Sequence, residues 1–237
     1  MLRLDAVNVF IEASHILRDV SLAVEPGAVV CLVGRNGAGK TTTLRTTMGY
    51  RRPASGRIEF RGRDLASLPT YAIARLGVGF APEDSGIFGD LSVAENIEIA
   101  TWSRPTARPA SERVERALAV FPRLREYATR GGTRLSGGER KMLSIARALA
   151  LDPELLLLDE PFEGLSPAII PQISESIAAI ARLGCGILLA ESNIHHVPAQ
   201  ATHLYVIERG EIIYAGLPAA VTGDPAVMSV IGARVAP

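Results

Sequence analysis

Residues 34–42 read Gly34-Arg35-Asn36-Gly37-Ala38-Gly39-Lys40-Thr41-Thr42, and the fold turns on this stretch. It fits the phosphate-binding pattern G-x-x-x-x-G-K-[ST], with glycines at 34 and 39 followed by Lys40 and Thr41. Ahead of it, Ala28-Val29-Val30-Cys31-Leu32-Val33 is an apolar run long enough for a buried parallel strand. Behind it, Thr41 to Met48 can wind into a helix whose first N–H groups aim at bound phosphate. Glycine lets the backbone approach phosphate oxygens. Lys40 would reach the β- and γ-phosphates, and Thr41 or its neighbour Thr42 would ligate Mg²⁺. The alternative is a chance Gly-rich turn, which the strand-loop-helix setting disfavours.

Working outward, Glu154 to Pro161 reads E-L-L-L-L-D-E-P. Four consecutive leucines fit a strand covered on both faces. Asp159 then emerges at the carboxyl end of that strand, where open α/β sheets bind ligands, and can hold the Mg²⁺ hydration shell. Glu160 is placed to polarise a water attacking the γ-phosphate. In isolation a solvated acidic pair would explain the same residues; paired with the loop at 34–42 it does not.

A third motif is Leu135-Ser136-Gly137-Gly138-Glu139, running into the amphipathic stretch 140–149. Ser136 and Glu139 form a capping box, so a helix begins here, and the two glycines leave its N–H groups bare. This predicts an anion site with no anion-binding partner nearby in the sequence. Together with the other two motifs, L-S-G-G-E resembles the signature motif of ATP-binding cassette (ABC) ATPases. The resemblance implies that Ser136, Gly137 and Gly138 of one subunit close over the γ-phosphate held by the loop of a second. The fold it implies is α/β, a RecA-like phosphate-loop NTPase core with an N-terminal antiparallel β element and an inserted helical subdomain.

Composition agrees with a globular α/β protein. The 237 residues are 48% hydrophobic and 21% charged, and 25 Lys+Arg balance 25 Asp+Glu. A neutral balance offers no basic footprint for nucleic acid, so none is expected as a partner. No apolar run approaches the ~18–20 residues that span a bilayer, and the start lacks the apolar core of a signal peptide. The expected location is therefore cytoplasmic, peripheral on the inner face of the membrane through partner subunits. Cys31 and Cys185 read as small core residues rather than disulfide, metal or nucleophile positions.

The remaining chain sorts into one domain, 1–237. Residues 1–84 and 151–237 form the nucleotide-binding core, and 85–150 the helical subdomain. Short strands are expected before the loop (Leu2 to Val24), then Arg57–Gly62 and Leu76–Ala81. Helices follow, including Ser111–Phe121, and later Ala168–Leu183. Strands return at Leu155–Leu158, Ile187–Ala190, Leu204–Ile207 and Ile212–Tyr214. Trp102, the sole tryptophan, is expected to pack within the helical lobe.

Smaller elements of the family can be placed by resemblance. Where most ABC ATPases carry a glutamine that senses Mg²⁺ and the membrane partner, Gly79-Phe80-Ala81-Pro82-Glu83 holds Glu83. A carboxylate remains a hard donor for Mg²⁺ or its waters, although a solvated loop residue is the other reading. Glu83, Gly86-Ile87-Phe88, Leu91 to Asn96 and Gly164-Leu165-Ser166-Pro167 are similar to the branched-chain amino acid and amide importer (LivF-like) branch. The family's γ-phosphate histidine is replaced by Ser192, whose hydroxyl donates one hydrogen bond, so hydrolysis is expected to persist but to be slow without a partner. His195 and His196 read as surface or packing residues. Phe10 is the nearest candidate to stack on adenine, Ile11 aligns about as well, and Phe10 could equally be core.

The resemblance thus implies ATP and Mg²⁺ as cofactors and membrane permease subunits as partners. It also implies a second ABC ATPase chain in a head-to-tail dimer and, indirectly, a periplasmic or extracellular substrate-binding protein. Two other readings stay open: a non-hydrolysing subunit of a heterodimer, and a soluble ABC protein without a transport role.

Overall fold

The computed structural model describes residues 1–232. Leu2–Ile11 (β1) and Ser14–Val24 (β2) form one long antiparallel hairpin, not the short strands that the alternation suggests. The cause is a bulge. Asp5 and Ala6 are consecutive exposed residues, Ala6 sits at φ 47°, and the register shifts between Leu4 and Val7. One inserted residue breaks the period-two pattern without ending the strand. Val29–Val33 (β3) is buried at all five positions and feeds the phosphate loop, which enters α1 (Lys40–Thr47). Threonine is a weak helix former, and the buried hydroxyls of Thr43 and Thr47 find their partners within α1 and its N-cap. Thr43 Oγ1 donates to Gly39 O and Thr47 Oγ1 to Thr43 O, each at 2.9 Å.

β4 (Ser55–Phe60) and β5 (Arg63–Asp64) complete a four-stranded antiparallel sheet, β2-β1-β4-β5. After α2 (Thr70–Arg75) comes β6 (Val78–Ala81), followed by the helical region: α3 (Val93–Thr101), α4 (Ala110–Val120), α5 (Pro122–Glu126) and α6 (Gly137–Ala150). The chain returns through β7 (Leu155–Asp159), α7 (Ile170–Arg182), β8 (Gly186–Glu191), β9 (His203–Glu208), β10 (Glu211–Gly216) and α8 (Pro225–Ile231).

The second sheet runs β10-β9-β3-β8-β7-β6, parallel except for β10 at its edge. Its two faces bury two cores. Val30, Leu32, Leu155 and Leu157 pack towards the antiparallel sheet and Leu44 of α1. Cys31, Val33, Leu156 and Leu158 pack towards the helical region and α7. The leucine run of β7 is therefore covered on both sides, each side chain contributing ~1.5–3 kcal/mol on burial. Both cysteines are free and buried. Burial pushes the Cys185 thiol up to about 12, and it raises Cys31 as well. They are core residues, in line with their apolar flanks in the sequence.

Trp102 does not pack as expected. It lies at the C-cap of α3, beyond the helix's last buried position, and is 73% exposed. No helix among the described residues is long and apolar enough to cross a membrane.

The entry to the helical region is fixed by one amide. Asn96 of α3 is fully buried; its Oδ1 accepts from Phe88 N at 2.9 Å, and its Nδ2 donates to the carbonyls of Phe88, Leu91 and Ser92. The same helix starts with a capping box, Ser92 N donating to Glu95 Oε2 at 2.7 Å and Glu95 N to Ser92 Oγ at 3.3 Å. Asn96→Ala strands these loop groups, and we expect a loss of ~1–3 kcal/mol in urea unfolding. Unchanged stability would show that water replaces the amide without cost.

Candidate active site

The loop between β3 and α1 is shaped by backbone approach and by one buried lysine. Gly34 lies so close to β9 that a Cβ on it would stand 2.2 Å from Ile207 O, a separation no side chain tolerates. Gly39, the residue ahead of α1, sits at φ 117°, which L side chains rarely adopt. Ala38 faces inward to the core and Arg35 outward to solvent, so neither side chain turns to the cleft. Asn36, Gly37, Gly39, Lys40, Thr41 and Thr42 line a cleft of about 480 Å³ together with Glu83, Glu160 and Glu163.

Lys40 has 5% of its side chain exposed. Its Nζ donates to Gly34 O at 2.8 Å and Arg35 O at 3.2 Å, and it pairs with Glu160 Oε1 at 3.1 Å. Glu160, equally buried, follows β7 at φ 47°, a left-handed conformation that costs a non-glycine residue roughly 1–3 kcal/mol. Surrounding bonds hold it there. Its N–H donates to Ala190 O at 3.0 Å, and its own carbonyl accepts from Lys141 Nζ at 2.8 Å. Its Oε2 accepts from Ser192 N at 3.0 Å and Ser192 Oγ at 3.2 Å. Ser192 therefore reaches the cleft through Glu160, while His195 is exposed and His196 turns inward to Glu191.

Thr41, which lines the cleft, donates through Oγ1 to the buried Asp159 Oδ1 at 3.0 Å. The other oxygen, Asp159 Oδ2, is buried with no hydrogen-bond partner among the described residues. Burial pushes Asp159 up to about 6, opposed by the Thr41 bond and reinforced by the charges of Glu83 and Glu160. A hydroxyl and an orphaned carboxylate oxygen suit a hard cation such as Mg²⁺, which takes one or two protein oxygens and completes its shell with water and phosphate. No group of three His, Cys, Asp or Glu among the described residues could hold a metal unaided. Glu83 lines the same cleft, and burial and the charges of Glu83 and Glu160 raise the facing Glu163 above the usual carboxylate range.

Two expected contributions lie elsewhere. Phe10 is 49% exposed and stacks on His15, its partner across the hairpin, at 4.2 Å between ring centroids. It does not line the cleft, whereas Ile11 and Ile16 do. Ser136, Gly137 and Gly138 also lie outside it. The capping box forms, Ser136 N donating to Glu139 Oε2 at 2.8 Å and Glu139 N to Ser136 Oγ at 3.3 Å, with Ser136 and Gly137 exposed.

The sequence motifs do not single out Lys141 or Glu163. Lys141 Nζ ties Glu83 O at 2.6 Å to Glu160 O, joining the two cleft-bearing segments from below. Burial lowers its pKa, with the nearby carboxylates opposing. A sequence signal exists: Lys141 is in helical phase with Ile145 and Ala148, both buried. Such a lysine points inward and needs an anionic or carbonyl partner.

A family model described as ABC transporter matches residues 17–163. The chain is 40% identical over 228 residues to the high-affinity branched-chain amino acid transport ATP-binding protein BraG of Pseudomonas aeruginosa, covering 96% of this chain and 97% of BraG. It is 37% identical over 217 residues to the lipopolysaccharide export system ATP-binding protein LptB of Acidithiobacillus ferridurans, covering 91% and 89%. Its structure matches the ADP conformation of MJ1267, an ATP-binding cassette of an ABC transporter, with a TM-score of 0.86 at 25% identity over 98% of this chain and 99% of that one. The loop at 34–42 lies within the matched residues, and the chain belongs to the ABC transporter family as one of its ATPases.

Proposed function

We propose that this ATPase energises an importer of branched-chain amino acids or related small amino acids and amides. The observation that carries the two-subunit part of the reading is the exposed, capped helix start at Ser136–Gly138, which takes no part in its own chain's cleft. A helix N-terminus attracts anions, and a second subunit docked head to tail would bring it over the γ-phosphate. The second subunit is another copy or a related chain.

In this reading Lys40 exchanges its Glu160 and carbonyl partners for phosphate oxygens as ATP enters. Losing that ion pair frees Glu160 Oε1 to accept a proton from the attacking water, while Ser192 holds Oε2. Ser192 Oγ can also turn to the γ-phosphate. Thr41 and Asp159, with Glu83, would hold Mg²⁺, which neutralises charge on the β- and γ-phosphates. Ile11 and Ile16 offer an apolar wall for the base, and Phe10 immediately precedes Ile11 at the hairpin end.

Force must reach separate membrane subunits. A groove of about 900 Å³ between core and helical region is lined by Tyr50, Phe80, Asp84, Phe88, Ile99 and Arg147 and adjoins the Glu83 segment. We assign it to a permease, which would keep the chain peripheral at the cytoplasmic face of the membrane; a substrate-binding protein outside would select cargo. The amino-acid reading is supported by likeness to BraG and by Glu83 and Ser166-Pro167. Likeness to LptB favours a second reading, in which the cargo is lipopolysaccharide or another amphiphile.

Point variants and reconstitution test the assignment. Glu160→Gln should lower ATP turnover by ~100-fold or more while ATP-dependent dimers persist in size-exclusion chromatography. Unchanged turnover removes Glu160 from the chemistry, and absence of ATP-dependent dimers in wild type and variant removes the split site. Ser192→Ala should slow turnover several-fold, because one hydroxyl donor to Glu160 is lost. Gly34→Ala should abolish binding of a fluorescent ATP analogue, since the loop cannot keep its approach to Ile207. Cargo is read by reconstituting the chain with its permease: leucine-stimulated ATP turnover supports import, and stimulation by lipopolysaccharide instead supports the second reading.

A further inference from the structure

Glu191, the last residue of β8, has no exposed surface. β8 runs between β3 and β7, so its end lies between the phosphate loop and the strand end that carries Asp159 and Glu160. Its backbone already serves the loop: Gly34 N donates to Glu191 O at 3.2 Å. The side chain serves the other neighbour. Glu191 Oε1 accepts from Phe162 N at 3.0 Å, two residues beyond Glu160. Glu191 Oε2 lies 3.1 Å from His196 Nδ1, and the His196 ring packs on Phe162 with centroids 5.8 Å apart. Carboxyl, imidazole and aromatic ring thus form a closed clamp on the segment that carries Glu160. The next residue of the strand end, Ser192, holds Glu160 Oε2.

We propose that Glu191, clamped between Phe162 N and His196, is the positioning device that keeps Glu160 and Ser192 aimed into the cleft. This rests on the reading of Glu160 as the base. The groups facing Glu191 are Glu160 from the turn after β7, His196 from the turn after β8, Lys141 from α6 and the Cys31 thiol from β3. Burial, the charge of Glu160 and side-chain contact with it raise Glu191 above the usual carboxylate range, against the Phe162 N–H and Lys141. Burial lowers His196. A neutral acid beside a neutral imidazole satisfies both: Glu191 donates O–H to Nδ1 while Nε2 keeps the ring proton. An ionised Glu191 would set a second buried negative charge against Glu160 and turn it away from the cleft.

The test uses the full chain with ¹³C-carboxyl-labelled glutamate, followed by NMR from about pH 6 to about pH 10. We expect one resonance that titrates well above the ordinary carboxylate range and vanishes in Glu191→Gln. In steady-state ATP hydrolysis, Glu191→Gln, which has the shape and charge of the protonated acid, should keep kcat within about twofold at neutral pH and lose the alkaline decline of the wild type. Glu191→Ala should lower kcat about tenfold with KM for ATP little changed. If the alanine variant does not fold, the glutamine variant decides alone. A Glu191 carboxyl that titrates in the ordinary carboxylate range overturns the proposal, as does Glu191→Gln losing turnover as fully as alanine. Failure of the base assignment is read separately: turnover retained in Glu160→Gln but lost in Glu191→Ala means that Glu191 supports something other than Glu160.

Discussion

A lysine ammonium that is almost wholly buried must be paired, and the site is arranged around that demand for Lys40. Two loop carbonyls and Glu160 meet it, which fixes Glu160 close to the loop and obliges its backbone to accept a left-handed turn. Lys141 steadies the turn from beneath, Ser192 from the side. Removing one member of such a buried pair strands the other charge. In the function proposed above, where phosphate becomes the better partner of Lys40, nucleotide entry and release of Glu160 are the same event.

Charge in the cleft is unbalanced. Glu83, Asp159, Glu160 and Glu163 face Lys40 and Lys141, and two of the carboxylates are held above their usual range by burial and by one another. A triphosphate arriving alone would add repulsion. One arriving with a divalent cation shared by Thr41 and Asp159 would relieve it, and Asp159 Oδ2, which has no hydrogen-bond partner among the described residues, marks where relief is most needed. A carboxylate at 83, in place of an uncharged amide, sharpens that dependence.

Contiguous features are legible in the sequence, and long-range ones are not. The strand-loop-helix at 29–47, the leucine strand and the capped helix at 136 each place their chemistry within a few residues, so spacing alone locates them. The hairpin bulge at Ala6 is hidden because one extra residue mimics a strand end. Phe10 and Ile11 cannot be separated without the hairpin register, which commits the Phe10 ring to His15. Trp102 reads as core because it follows an apolar helix, and only the packing of that helix shows which face is free. Lys141 and Glu191 matter through residues far away in the chain, brought together by a strand order that no local pattern encodes. Roles assigned by resemblance to Ser136, Glu83 and Ser192 likewise depend on groups outside their own segments.

β3 lies between two strands that are made much later than itself. Val30 pairs with Leu188 of β8 on one side and with His203 of β9 on the other, and both partners are translated long after β3 has left the ribosome. Until they emerge, the strand that launches the phosphate loop has two open edges, and such edges invite pairing with the wrong chain. Gly34 cannot take up its approach to Ile207, nor Gly34 N its bond to Glu191 O, before β8 and β9 exist. The nucleotide site is therefore among the last parts of the protein to be completed during synthesis. A chain cut short before His203 would carry the whole phosphate-loop motif and still lack the sheet that gives the loop its shape.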